Sequence, residues 1–477
     1  MTSFRISTVT ALALVVLVLG TTTGCETPDE SEDDSPSVEK TEGEMSGESS
    51  DDEQSTHGKS EGVEDQSPGD SPGTATMKET DESSRRISDP DASKTDISSL
   101  TDGQSAFAFD LYGRLKQKKS GENLFYSPYS LSTVLAMVRA GAAGTTESQL
   151  NEAVHLSLPE EKLHPAFNAV AQSLERRAEE TGDRRGTPFR LRLADAVWGQ
   201  SGFSIKEPYL DTLAQHYGAG LKTLDFQKRP ESARKTINRW VAQQTEGKIE
   251  ELLPKGSVDP RTRLLLTDAI YFKATWAETF DEKKTSPGTF TTLDGESVET
   301  PMMHGELRDT AYAEGQHWMA IEMPYVGGDV SMVAIVPNEG SFSTIEGKLS
   351  PDWLSTVLDK LHPQALELTF PKFEFESSFS AKSLLQKLGA KAPFDPEKAD
   401  FSGISDRADL HLTDVVHKAR ISVDEQGTEA AAASGATMGV TSLPQYQDVA
   451  VDRPFIFVIR DRETGAPLFV GRVVDPS

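Results

Sequence analysis

Ser127, Asp268 and His417 supply the three side-chain types of an acyl-transfer triad, and Cys25 is the only thiol in 477 residues. A serine hydrolase built on them would need Ser127 on a strained strand-to-helix elbow. The local sequence Tyr126-Ser127-Pro128 has no such context. A serine followed by proline at the start of an apolar run reads as a helix cap. The chain contains no H-E-x-x-H, no phosphate-binding P-loop and no G-x-G-x-x-G opening a helix. One cysteine excludes intramolecular disulfides and thiolate zinc clusters. The sequence therefore gives no reason to expect an enzyme, a metal or a cofactor.

Cys25 has a different context. Arg5 precedes a 15-residue run of apolar, small and hydroxyl residues, Ile6 to Gly20, too short for a stable bilayer span of about 20 residues. Thr21-Thr22-Thr23-Gly24-Cys25 follows and resembles the lipobox of bacterial lipoproteins, in which the cysteine is lipidated and becomes the mature N-terminus. We expect residues 1–24 to be a signal peptide. The protein is then exported and anchored to a membrane at the cell envelope or surface through lipid on Cys25.

The net charge is −28, from 76 acidic and 48 basic side chains, and it is unevenly spread. Residues 26–97 hold 23 Asp/Glu and 6 Lys/Arg. They have almost no aliphatic or aromatic side chains, so this segment cannot bury enough apolar surface to offset chain entropy. Residues 25–97 are expected to be the lipidated N-terminus and a disordered acidic linker that extends by self-repulsion. The acidic balance also argues against sequence-independent nucleic-acid binding.

The elements that must position these residues begin near Ile97. Apolar spacing predicts helices from Ser105 to Lys119 and over 128–141, 206–217, 230–245, 351–361 and 379–388. Strands are predicted at 191–198, 263–272, 319–325, 331–336, 366–375, 454–459 and 468–474. Helices come first, then mostly antiparallel strands, which is an α+β pattern. Length alone suggests about two or three domains.

Motifs in the body sharpen this. Val423 to Ala433 reads VDEQGTEAAAA, and Arg453 to Pro476 reads RPFIFVIRDRETGAPLFVGRVVDP. The pairing resembles the reactive-loop hinge and C-terminal signature of the serpins, the serine protease inhibitor family. NLFYSPYSL (123–131), GAAGTTESQL (141–150), INRWVAQQTEGKI (237–249), TDAIYFKATW (267–276), PMM (301–303), PKF (371–373), ADFSGI (399–404) and VHKA (416–419) match in family order over about 98–477. The resemblance implies one domain of three β-sheets and about nine helices with an exposed reactive-centre loop. It assigns Ser127, Ser130 and His417 to the region where the central sheet opens. Asp268 stands there in place of the usual asparagine, where a carboxylate would favour a protonated imidazole. Trp276 falls under the top of that sheet. None of these residues is implied to be catalytic.

The resemblance also implies that the loop is bait: after cleavage, the part before the cut inserts as a strand into the central sheet. The hinge comprises Glu425, Gly427, Thr428, Glu429, Ala430, Ala431, Ala432 and Ala433. In the family register Thr428, Ala430, Ala432, Ser434, Ala436, Met438 and Val440 face the core, while Glu429 faces outward. No proline interrupts the segment before Pro444, and no charge faces inward. This favours a suicide inhibitor over a non-inhibitory serpin-fold binding or structural protein at the cell surface. Family spacing places the scissile bond between Thr441 and Ser442; counting back from Pro454 shifts it toward Leu443. A small β-branched residue there suits an elastase-like or subtilisin-like serine protease, with a cysteine protease as a further partner class. No Arg or Lys lies between Arg420 and Arg453, which argues against a trypsin-like target. A monomer is expected.

Overall fold

The computed structural model describes residues 85–182, 190–407, 409–428 and 445–477. Cys25, Glu429, Ala430, Ala431, Ala432, Ala433, Thr441 and Ser442 lie outside the described residues. Among the described residues there are three β-sheets and nine α-helices.

The first helix, Lys94–Lys118, starts earlier than its apolar stripe suggests. Ser93 caps it, accepting from Asp96 N while the Asp96 carboxylate accepts from Ser93 N. This reciprocal box satisfies two amides that no apolar periodicity reports. The preceding residues also lie on the body. Arg86 bonds Asn168 and Glu175, and Ile87 donates its backbone N–H to Gln215 O.

The seven-stranded central sheet is ordered Phe373–Ser380, Leu412–Val423, Gly427–Thr428, Leu264–Thr275, Ala196–Gln200, Lys222–Leu224, with Arg190–Leu193 also pairing onto Leu264–Thr275; Leu412–Val423 and Leu264–Thr275 also pair directly beyond the short Gly427–Thr428 strand. Its two middle strands, Leu264–Thr275 and Leu412–Val423, run parallel, from Leu264 beside Leu412 to Tyr271 beside Arg420. The helix Pro230–Gln244 covers one face through Ile237, Val241, Trp198 and Leu265. The large core fills the other face, so the near-continuous apolar run of Leu264–Thr275 is explained by burial on both sides.

A second seven-stranded sheet holds Leu124–Tyr126, Pro467–Val473, Phe455–Asp461, Val330–Pro337, Trp318–Pro324, Ala311–Gly315 and His362–Pro363 in that order. The third, of four strands, is ordered Gln447–Ala450, Leu366–Pro371, Ser297–Leu307, Ser286–Thr291.

Two expected strands are each broken. The stretch 366–375 splits at Lys372: Pro371 pairs with Met302 in the four-stranded sheet, while Phe373 pairs with Val423 in the central sheet. The stretch 191–198 splits around Ala194 and Asp195. The helix expected at 379–388 is only Lys382–Lys387, because the alternation of Phe373, Phe375, Ser377 and Phe379 extends the strand to Ser380.

Candidate functional site at the middle strands of the central sheet

Ser127 is the N-cap of the helix Pro128–Arg139, and its Oγ accepts from Ser130 N at 3.0 Å. The same hydroxyl donates to Leu468 O at 2.7 Å, tying the helix to the strand Pro467–Val473. It does not face a base. The backbone N–H of Ser127 points to His417 Nε2 at 3.4 Å, which leaves the ring proton on Nδ1, donated to Asp268 Oδ1 at 2.9 Å. Ser127, Ser130, Asp268 and His417 are all fully buried. With the hydroxyl committed and no access from solvent, these residues form a structural junction and not an acyl-transfer site.

The junction spans the seam between the middle strands, since His417 and Asp268 are direct partners in their parallel register. Sequence reasoning missed one member. Ser130 Oγ lies 2.8 and 2.9 Å from the two carboxylate oxygens of Asp195, and 2.9 Å from Asp268 Oδ1. Leu193 pairs with Ile270, and Ala196 with Thr267, so Asp195 falls opposite Asp268 on the other side. Burial first, and the charge of Asp268 second, push the Asp195 carboxyl well above the usual carboxylate range, against the Ser130 hydrogen bond. The available signal was a lone acid inside the apolar run LRLADAVW. The two G-x-S-x-G spacings, Gly58 to Gly62 and Gly69 to Gly73, have no apolar strand ahead of them and lie outside the described residues.

At one end of the seam the hinge enters the sheet. Thr428 pairs with Val423 on one side and Ala274 on the other, and Gly427 pairs with Thr275. Thr428 is 1% exposed, and its hydroxyl shares a 2.8 Å hydrogen bond with Tyr325 OH. Tyr325 stacks on Trp276 at 4.5 Å between ring centroids. Trp276 Nε1 donates to Asp424 O, and its backbone N–H donates to Gln426 O. A Cβ on Gly427 would sit 2.1 Å from Ala274 O, so only glycine fits this close approach.

Glu425 anchors the turn ahead of the hinge, accepting from Lys372 Nζ at 2.9 Å and Thr285 Oγ1 at 2.7 Å. Burial opposes ionisation of Glu425, but these bonds outweigh it and hold the carboxyl below its ordinary value. The sheet change at Lys372 is what brings its side chain here. Trp276, Glu425, Gly427 and Thr428 thus form one cluster, and Ser127, Ser130, Asp268 and His417 another further along the same seam.

These features agree with the comparisons. The profile described as Serpin (serine protease inhibitor) matches residues 102–476, and the chain belongs to the serpin family. It is 38% identical to an uncharacterized serpin-like protein of Thermococcus kodakarensis, over 78% of this chain and 85% of that one. It is 34% identical to the leukocyte elastase inhibitor of Homo sapiens, over 79% of this chain and 99% of that one. Among solved structures, uncleaved ovalbumin superposes with a TM-score of 0.70 at 26% identity, covering 79% of this chain and 100% of ovalbumin. The fold is the α+β serpin fold.

Proposed function

We propose that the protein is a suicide inhibitor of serine proteases, in which cleavage of the loop beyond Thr428 leads to an acyl-enzyme and insertion of the loop into the central sheet. The observation that carries this reading is the seat of Gly427 and Thr428 between the two middle strands, with the Thr428 side chain buried. That is the first step of the path the loop would follow, and it matches the alternation that turns Thr428 inward. The residues after it are small or uncharged at every inward position, so insertion meets no buried-charge penalty. The similarity to a leukocyte elastase inhibitor and the content of 438–443 support an elastase-like or subtilisin-like target, cut at Thr441-Ser442.

The sequence of 1–25 further supports export and a lipid anchor on Cys25, with the acidic segment as tether. Incubation with an elastase-like protease followed by denaturing electrophoresis tests the mechanism. A covalent band at the summed mass is expected. Cleavage of the loop without any such band, across a panel of serine and cysteine proteases, overturns the inhibitory reading.

A further inference from the structure

The contacts around Ser130 outnumber its one hydrogen, and an added proton lets it bond both neighbouring acids. Its hydroxyl oxygen lies within 2.9 Å of three carboxylate oxygens, two on Asp195 and one on Asp268. A serine hydroxyl has one hydrogen to give. If both acids were ionised, one carboxylate would face the lone pairs of Ser130 and another anion directly across the strand pair. Like charges in that position repel; Ser130 and Asp268 are fully buried and Asp195 is half-buried.

We infer that Asp195 and Asp268 hold a single proton between them through Ser130, which makes Asp195 a positioning residue for the seam of the central sheet. The arrangement that satisfies the most contacts runs in one direction. The Asp195 carboxyl donates to Ser130 Oγ, and Ser130 donates to Asp268 Oδ1. Asp268 also accepts from His417 Nδ1–H, while His417 Nε2 accepts from Ser127 N–H. The chain therefore runs from the break between Arg190–Leu193 and Ala196–Gln200 across the two middle strands to the helix start beneath them, and carries one negative charge instead of two. Asp268 is the better holder of that charge because two donors reach its Oδ1.

The groups facing Asp195 are few. From Leu264–Thr275 comes Asp268; from the helix Pro128–Arg139 come Ser130 and Tyr129, whose phenol burial holds far above neutral pH. His417, from Leu412–Val423, lies beyond Asp268 with the Phe379 ring against it. None of the groups acting on Asp195 supplies a cation to offset a second carboxylate.

The proton has a pH consequence with a definite sign. The folded pair keeps a proton that the unfolded acids release above their ordinary value near about 4. Its contribution to stability is complete below that value and is lost as pH rises toward the raised folded value. In that window the unfolding constant should grow by up to about tenfold per pH unit from this pair alone.

The inference concerns the resting molecule, so its tests use the full chain without protease and are independent of the inhibitory reading. Infrared spectra in deuterated buffer at neutral pH should show the carbonyl band of a protonated carboxyl. Asp195→Asn and Asp268→Asn should each abolish it, since the amide needs no shared proton. Urea unfolding from pH 5 to 8 should lose one proton's worth of slope in Asp195→Asn, whose amide can still donate to Ser130. Absence of the band in the unmodified chain overturns the inference and needs no variant to fold. Persistence of the band in either variant, or an unchanged slope in Asp195→Asn, also overturns it.

Discussion

Thr428 and Glu429 are neighbours with opposite expected costs. Thr428 is buried against Tyr325, so Thr428→Arg puts a long cation where only a small hydroxyl fits, at several kcal/mol if unpaired. In the proposed mechanism insertion competes with hydrolysis of the acyl-enzyme, and slowing it should turn inhibitor into substrate. Glu429→Arg, one position on and outward by alternation, should be mild. The quantity to compare is the number of inhibitor molecules consumed per protease inactivated; equal effects would reject the register. Glu425 offers a test of the resting state. Its carboxyl is held low despite burial, so its contribution is present above the unfolded value of about 4.3 and is lost as pH falls through the lower folded value. Glu425→Gln should cost about 1 kcal/mol at neutral pH, because Lys372 is 44% exposed and partly screened. Urea midpoints of the two proteins should converge once pH has fallen below the lowered folded value; a gap that persists there would assign the loss to packing.

At the scale of elements, Ser127 shows how one short side chain joins a helix to two sheets. It caps Pro128–Arg139, bonds the strand Pro467–Val473 through Leu468 O, and aims its backbone N–H at His417 of the central sheet. Ser127→Ala removes the first two and should destabilise the fold by about 2–3 kcal/mol. Ser127→Gly, which has little capping penalty of its own, should recover part of the loss; equal melting shifts for both would mean the cap contributes nothing. The cap was legible from Ser127-Pro128, and the long buried strands were legible from their apolar runs. The breaks were not. At Lys372 the chain leaves one sheet for another without any change in apolar content, because both strands bury alternate residues in the same core. Asp195 was overlooked for a related reason: its neighbours Ala194 and Ala196 continue the apolar pattern, and the significance of an acid there depends on Asp268 lying opposite, 73 residues away, which only pairing register supplies. The hinge, in contrast, was readable as far as Thr428, since the demands of strand insertion act on consecutive residues.

The whole molecule holds its central sheet in an unfinished arrangement. The middle strands pair directly and in parallel from Leu264–Leu412 to Tyr271–Arg420, and part at one end around Gly427 and Thr428. A strand entering behind Thr428 would run antiparallel to both neighbours, replacing one parallel ladder with two antiparallel ones, the more favourable pairing per residue. It would also bury its inward side chains, each worth up to about 1–3 kcal/mol if fully enclosed. Against this stand the loss of the direct seam, including the His417–Asp268 bond, and the entropy of ordering the loop. In the intact chain the loop is tied at both ends, to Thr428 and to the strand Gln447–Ala450, so full insertion cannot occur without dislodging the latter. Cutting between 436 and 443 removes that tether. A net gain of roughly 5 kcal/mol would raise the melting midpoint by about 6 °C in a domain of this size. The experiment is to nick the loop with a protease that does not form a covalent complex, purify the two-fragment protein and compare melting curves under one set of conditions. A rise confirms that the cut loop has joined the sheet, and Thr428→Arg should suppress the rise in proportion to its loss of inhibition. Equal midpoints in the intact and nicked forms would mean that the seam does not open, and the inhibitory mechanism would fall with it.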